Sequence, residues 1–271
     1  MPTIDDNLRL WGSEYDWRDH GEEWSEVWGG SRSQWLGSIL PRLRAFLPAG
    51  RALEIGCGHG RWSRQLRPWC SELVLLDLAP ACVAACRELF RGDPAVRVAA
   101  TDGRSLPGVG DGEVELAFSF DSLVHAELDV LAGYARELAR TLAPDGVAFL
   151  HHSNFGAVLA ARPGAQNRHW RGESASAEAF VECCRSAGLR CPVQEVVDWG
   201  GVDACDAFSV VTRPGSRWDR DPVRRSNPFF MGEAQSLAVR SALYAWPGAA
   251  EVDAAPGGPG RGTAGSGGGA G

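Results

Sequence analysis

Two apolar runs with a glycine-rich turn between them constrain this chain more than any other feature. The first, ALEIGCGHGRWS, occupies residues 52–63, and the second, LVLLDLAP, occupies residues 73–80. In the first, glycines alternate behind an acidic residue; in the second, the run ends at Asp77. That places a carboxylate about twenty residues beyond the glycines, the spacing of one that holds a ribose. A strand, a glycine turn, a helix and a second strand with an acidic tip make half of a nucleotide-binding site.

The details of the turn narrow the nucleotide. Its glycines are Gly56, Gly58 and Gly60, and a dinucleotide fingerprint would also need glycine where Arg61 stands. The pattern is E-x-G-x-G-x-G, with Glu54 just before the glycines. A carboxylate is a poor neighbour for pyrophosphate but suits an ammonium group. S-adenosylmethionine carries an ammonium, a sulfonium and no phosphate. The loop resembles motif I of the class I S-adenosylmethionine-dependent methyltransferases. That resemblance implies a donor site built from Glu54, Gly56, Cys57, Gly58, Gly60, Asp77 and Leu78. It extends through VRVAATDGRSLP (residues 96–107), where Asp102 matches the acid that bonds adenine and Gly103 follows it. Phe120 and Asp121, at the tip of the next strand in VELAFSFDSLVHAE, complete the implied set. Cys57 is expected to pack beneath the donor rather than react.

Bulk properties restrict the partners. A chain of 271 residues with 44% hydrophobic content can bury a full α/β core. Its formal net charge is −7, and its basic residues are scattered among acids. Nucleic acid is therefore not an expected partner, and a small-molecule acceptor is; a homo-oligomer stays open. The sequence contains no lysine, which excludes lysine Schiff bases and a P-loop lysine. Its eight cysteines form no C-x-x-C pair and show no zinc spacing. The opening MPTIDDNLRL is polar and acidic, and no run is long enough to span a bilayer. Free thiols and a cytoplasmic location are the expectation.

Alternating patterns predict a Rossmann-like α/β fold: a mostly parallel seven-stranded sheet, helices on both faces, and an antiparallel final strand. Strands are expected near residues 51–56, 72–77, 96–100, 114–120 and 146–151, the last behind a turn at Pro144-Asp145-Gly146. Residues 1–48 form an N-terminal helical cap, in which Trp17, Trp24 and Trp28 fall at helical repeats. Packing on the sheet edge is the simpler reading of that stripe, and a cover over the cleft is the functional one. Pro41 is expected to kink or divide the helix over residues 33–47. The catalytic domain is assigned to residues 49–246, with an insertion at 153–175 as a substrate lid, a helix from 176 capped by Ser174 or Ser176, and a last helix over 232–246. Residues 247–271, rich in Gly, Ala and Pro, read as a disordered tail.

Methyl transfer requires alignment and, for a hydroxyl acceptor, removal of a proton. His125 lies just past strand four, where small-molecule and sugar O-methyltransferases place a histidine beside the acceptor. It is the candidate base, the alternative being a cap for the helix starting near Glu127. His151 and His152 close strand five and face opposite ways, so one of them is expected to reach the acceptor. His152 is counted with the catalytic set; His151, Asn154 and Trp170 are counted as acceptor contacts. Asp121 either orients His125 or the donor, or helps to hold magnesium; HHSN lacks the acidic pair a metal would need, so no metal is assigned. His59 reads as a variable loop residue. EEWSEVWGG, FSFDSLVH, LHHSN and HWRGESASAE together resemble bacterial class I methyltransferases that act beside glycosyltransferases. The resulting expectation is O-methylation of a sugar in a glycosylated natural product or sugar nucleotide. The alternatives are N-methylation of a small molecule and a nicotinamide-dependent oxidoreductase.

Overall fold

The computed structural model describes residues 2–244. Eight strands form one sheet: β1 (Ala49–Ile55), β2 (Cys70–Asp77), β3 (Val96–Ala100), β4 (Val114–Ser119), β5 (Leu142–Ser153), β6 (Arg190–Trp199), β7 (Val202–Thr212) and β8 (Val223–Asn227). Their spatial order is β3-β2-β1-β4-β5-β7-β6-β8. Strands β1 to β5 are parallel, β7 runs antiparallel to both β5 and β6, and β8 pairs in parallel with β6.

Burial on both faces explains the continuous apolar runs of the central strands. Leu73 and Leu75 of β2 enter one core layer, whereas Val74 and Leu76 enter the other. This is the two-residue alternation of a pleated strand, with no polar face left for solvent. Helices cover both layers: α1 (Ile4–Arg9), α2 (Ser31–Gln34), α3 (Leu40–Leu43), α4 (Arg61–Leu66), α5 (Pro80–Leu89), α6 (Leu128–Thr141), α7 (Phe155–Ala161), α8 (Ala177–Ser186) and α9 (Phe230–Leu243). On α6 the buried Val130, Leu131, Tyr134, Ala135 and Leu138 repeat at three- and four-residue steps. Helix α5 opens on Pro80, whose missing N–H costs nothing in a first turn. Ser176, rather than Ser174, caps α8 by accepting the Ala179 N–H at 3.1 Å.

The chain order reverses at β1, whose neighbours are β2 and β4. The crevice beyond the carboxyl ends of β1 and β4 is where an open α/β sheet binds its ligand. The glycine loop follows β1 and residues 120–125 follow β4, so both converge on that crevice.

Several expectations need correction. The sheet has an eighth strand, β8, beyond the seven expected; the expected antiparallel strand is β7, the seventh in chain order, inserted between β5 and β6. β8 escapes sequence reading because its pattern, VRRSN, is exposed over all but its last residue. Pro144-Asp145-Gly146 is not a separate turn but lies within β5, where the pairing with β4 shifts register between Val114 and Leu116. A widened turn at Trp35–Ile39 precedes α3, and Pro41 falls in the first turn of α3, so it starts that segment rather than breaking one. The tail assigned to 247–271 lies outside the described residues.

Candidate active site

The glycine loop must turn sharply at the end of β1, and its backbone shows why side chains are excluded. Gly56, Gly58 and Gly60 all have positive φ, at 74°, 53° and 83°. A Cβ on Gly56 would stand 1.9 Å from Ser122 Oγ, so the backbone of the loop meets the Ser122 side chain with no room for one of its own. The Asp77 carboxylate stitches the turn together, accepting the Gly58 N–H at 2.8 Å and the Ala79 N–H at 2.9 Å. Burial pushes its pKa up, against those backbone bonds. Gly56, Cys57, Gly58, Asp77, Leu78, Gly103, Phe120 and Asp121 all line one cavity. Gly60 stands behind them, where a Cβ would meet Leu89 at 2.5 Å. Cys57 packs below the loop with its sulfur 3.6 Å from that of Cys86.

The other two strand-tip acids are elsewhere. Glu54 is fully buried in β1 and accepts the Ser63 hydroxyl at 2.6 Å; it is not among the cavity-lining residues. Burial, reinforced by Asp77, pushes its carboxyl up to about 8, while Ser63 and Arg61 act the other way. It anchors α4 to the sheet. Asp102 is exposed and closes its own turn, accepting the Arg104 and Ser105 N–H groups at 2.8 Å each. Those backbone bonds hold its pKa down. Gly103 and Thr101 line the cavity in its place.

His125 reaches the cavity from the short helical turn at Leu123–His125. Its Nδ1 lies 2.9 Å from the Trp170 carbonyl oxygen. A carbonyl only accepts, so Nδ1 carries the proton and Nε2 keeps a lone pair. Burial, then the nearby Arg171 cation, push its pKa down to about 4. The imidazole is thus neutral across the physiological range, and it is no helix cap. Beside it, Asp121 sits in left-handed backbone (φ 62°) and pairs with Arg61 at 2.8 Å. A strained non-glycine residue at a strand tip marks a position the surroundings over-determine.

The remaining predicted contacts lie behind the cavity wall. His152 is wholly buried against Phe180, bonding the Ser153 carbonyl at 2.9 Å and the Ser209 hydroxyl at 2.8 Å. Burial lowers its pKa to about 4. A catalytic role is therefore withdrawn: both ring nitrogens are spent inside the core. His151 points to the opposite face, as strand alternation requires, yet it too is fully buried and outside the lining. Asn154 ties the Ala204 carbonyl to the Ala177 N–H, each at 2.7 Å, so its amide is also structural. Trp170 contributes its carbonyl, while its side chain is 51% exposed and not part of the lining.

Residues outside the predicted site set complete the walls. The N-terminal segment lies across the cleft, lining it with Trp11, Trp17 and Trp24. This overturns the sheet-edge reading of the aromatic stripe. Trp28 is the exception, buried against Phe230. Trp17 stacks on His59 with ring centroids 4.4 Å apart and an 8° interplanar angle, so His59 is a contact of the cover rather than a neutral loop position. Asn7 donates to the His125 carbonyl at 2.9 Å. Arg61 and Arg171 bring charge. Four tryptophans within residues 1–30 and the HWR triplet in the predicted lid were the available signals. Asp206, which pairs with Arg171, had none.

This lining fits a sulfonium nucleoside. The glycine cradle would be filled by any side chain, Asp77 offers a buried carboxylate, Leu78, Leu123 and Val130 offer apolar surface, and Arg61 is already neutralised by Asp121. The sequence model of the methyltransferase domain family matches residues 52–146. Nodulation protein S of Sinorhizobium fredii is 28% identical over 141 residues, which span 49% of this chain and 57% of that protein. The chain thus matches little more than half the length of this curated relative. Among solved structures, N-methyltransferase NodS from Bradyrhizobium japonicum WM9, in complex with S-adenosyl-L-homocysteine, superposes with a TM-score of 0.54 and 18% identity, covering 79% of this chain and 100% of that one. An S-adenosylmethionine-dependent methyltransferase from Mesorhizobium loti gives a TM-score of 0.50 and 21% identity, covering 67% and 98%. The glycine cradle, the sheet order and the family match agree: residues 52–146 match the methyltransferase domain family, on a fold shared with S-adenosylmethionine-dependent methyltransferases.

Proposed function

We propose that this chain transfers a methyl group from S-adenosylmethionine to a hydroxyl of a small molecule, a sugar or glycoside being the acceptor class that suits the site. One observation carries the reading. The donor cradle and His125 line the same cavity, and the Trp170 carbonyl leaves His125 with a lone pair on Nε2. When bound, S-adenosylmethionine supplies an already electrophilic methyl carbon. Asp77, Leu78, Gly56 and Gly58 would hold it, with Thr101 and Gly103 at the adenine end. His125 Nε2 then accepts the acceptor's proton, a contribution of about 10²- to 10⁴-fold. Alignment of nucleophile, carbon and sulfur supplies the rest.

Three tryptophans from the N-terminal segment in the lining support a sugar-like acceptor, because flat aromatic faces cover the C–H faces of a pyranose. The covering segment also excludes water from the reacting centre. No metal is invoked. Buried thiols in a lysine-free, acidic chain suit a cytoplasmic setting. Among the described residues no helix is long and apolar enough to cross a membrane.

A second reading, methyl transfer to an amine, is favoured by two facts. The solved relative from B. japonicum is named an N-methyltransferase. A histidine whose pKa lies near 4 is a weak base, and a neutral amine needs none. Calorimetry with S-adenosylhomocysteine and with NADH tests the donor: binding of NADH alone would refute the methyltransferase reading. Incubation with labelled S-adenosylmethionine and paired hydroxyl and amino acceptors then separates the two.

A further inference from the structure

Arg171 is the cation in the cavity that the proposed reaction leaves unassigned. It stands on the segment between α7 and α8, and its side chain is 5% exposed. Its Nε donates to Asp206 Oδ1 at 2.8 Å and its NH2 group to Oδ2 at 2.7 Å. NH1 donates to the His169 carbonyl at 3.3 Å. A guanidinium carries five N–H bonds, so these contacts leave two unspent on a residue that lines the cavity.

The counter-ion lies behind it. Asp206, on β7, is wholly buried and outside the lining. His151 holds Asp206 from the other side, with Nε2 3.2 Å from Oδ2. The Asp121 N–H meets His151 Nδ1 at 3.1 Å. A backbone amide only donates, so the His151 proton is on Nε2 and is given to Asp206. Burial alone would raise the Asp206 pKa, but Arg171 and His151 hold it well below the usual carboxylate range. The unit is therefore one cation, one anion and one neutral imidazole, oriented with its positive end toward the cavity. Arg171 follows Trp170, whose carbonyl fixes His125. One short stretch of backbone thus sets the base and the cation side by side.

We infer that Arg171 selects the acceptor: its guanidinium, held by Asp206 and His151, favours an oxygen nucleophile and rejects an ammonium. The inference rests on the methyltransferase reading and decides between its two forms. In the step, the acceptor oxygen gives its proton to His125 Nε2 and a lone pair to the methyl carbon, while the carbon–sulfur pair stays on sulfur. The products are a methyl ether, a thioether and an imidazolium that releases its proton to solvent. Negative charge grows on the oxygen as the proton leaves, and the unspent N–H groups of Arg171, fixed by Asp206, stabilise it. Asp206 and His151 are positioning residues. The charged and titratable groups around the pair are Asp121 with its partner Arg61, Asp206 with its partner His151, His169 and Cys205; from the N-terminal cover, Trp11 and Asn7 bring no charge.

The test uses the full chain loaded with S-adenosylhomocysteine, and the variants R171Q and R171K. NMR titration of the His125 imidazole reads the field at the reacting centre. R171Q should raise its midpoint by about one pH unit, and R171K should restore most of the wild-type value. An unchanged midpoint in R171Q overturns the inference. In parallel, methyl glycosides and phenols are compared with amino sugars and anilines under labelled S-adenosylmethionine. The wild type should methylate the hydroxyl members, and R171Q should lose about 100-fold or more in kcat with S-adenosylhomocysteine affinity unchanged. A wild-type preference for the amino members overturns it. If no member reacts, the titration decides alone. Failure of the wild type to bind S-adenosylhomocysteine would instead sink the methyltransferase reading, and this inference with it.

Discussion

His125 Nδ1 lies 2.9 Å from the carbonyl oxygen of Trp170, a residue of the segment that follows β5 and α7. The contact joins two loops from neighbouring strands and fixes which nitrogen of the ring can accept a proton.

A consequence appears in the pH profile. Because burial holds the His125 pKa near 4, the ring stays neutral until the pH falls through that value. The acid limb of kcat/KM should lie near pH 4, well below the 6.5 of a free imidazole. H125A should lower kcat by about 10²- to 10⁴-fold for a hydroxyl acceptor. A limb at 6.5, or full activity in H125A, removes the histidine from proton transfer.

Glu54 makes an opposite pH signature in stability. Its folded pKa of about 8 lies above the unfolded value of 4.5, so its contribution is complete below 4.5 and is lost as pH rises through 8. Between pH 7 and 9 this loss is about 1–2 kcal/mol. The cysteines add their own alkaline loss, so urea denaturation should compare wild type with E54Q. The variant should lack the Glu54 share and bind S-adenosylhomocysteine with little change, since this carboxyl does not line the cavity.

Gly56 is the position where the donor cradle tolerates least. G56A puts an L-residue at a φ of 74° and a methyl group 1.9 Å from Ser122 Oγ. We expect a stability loss of about 2–4 kcal/mol and at least about a tenfold weaker affinity for S-adenosylhomocysteine. G56A/S122A should recover part of both, which a double-mutant cycle measures directly. Additive effects would show that the close approach is unimportant.

The N-terminal cover makes a separate prediction. W17A removes the stack on His59 and the contact with the glycine loop, and its other ring contacts, Trp11 and Tyr15, lie within the cover itself. Affinity for S-adenosylhomocysteine should fall about tenfold, equivalent to roughly 1.4 kcal/mol, while the melting temperature of the unliganded chain changes little. An unaltered affinity would make the cover a passenger.

His152 should behave as a core residue. H152N should cost about 1–3 kcal/mol in urea denaturation, because the buried Ser209 hydroxyl and Ser153 carbonyl lose a partner. The kcat of the variant should match wild type under conditions where it is folded.

The core periodicities, the glycine turn and the acid at Asp77 were all legible because each is a local pattern: apolar residues at strand or helix spacing, and backbone freedom at three positions. Glu54 and Asp102 looked equivalent to Asp77 in sequence. They differ in which neighbours their carboxylates meet, Ser63 for one and the Arg104–Ser105 backbone for the other. The same holds for the histidine pair of strand five, where alternation was foreseen but not that both faces are sealed. β8 was hidden because an exposed edge strand carries no hydrophobic signal.

By itself, then, the sequence determined the α/β architecture, the donor loop and the placing of His125 past the fourth strand. Only the tertiary structure decided that Trp11, Trp17 and Trp24 roof the cleft, that His151 and His152 are internal, and that Arg171 stands beside His125 on an anion from a strand 35 residues away. The physical reason is range. Periodicity and backbone conformation are set by residues a few positions apart, whereas the electrostatics of the site depend on groups that meet only after the sheet has closed.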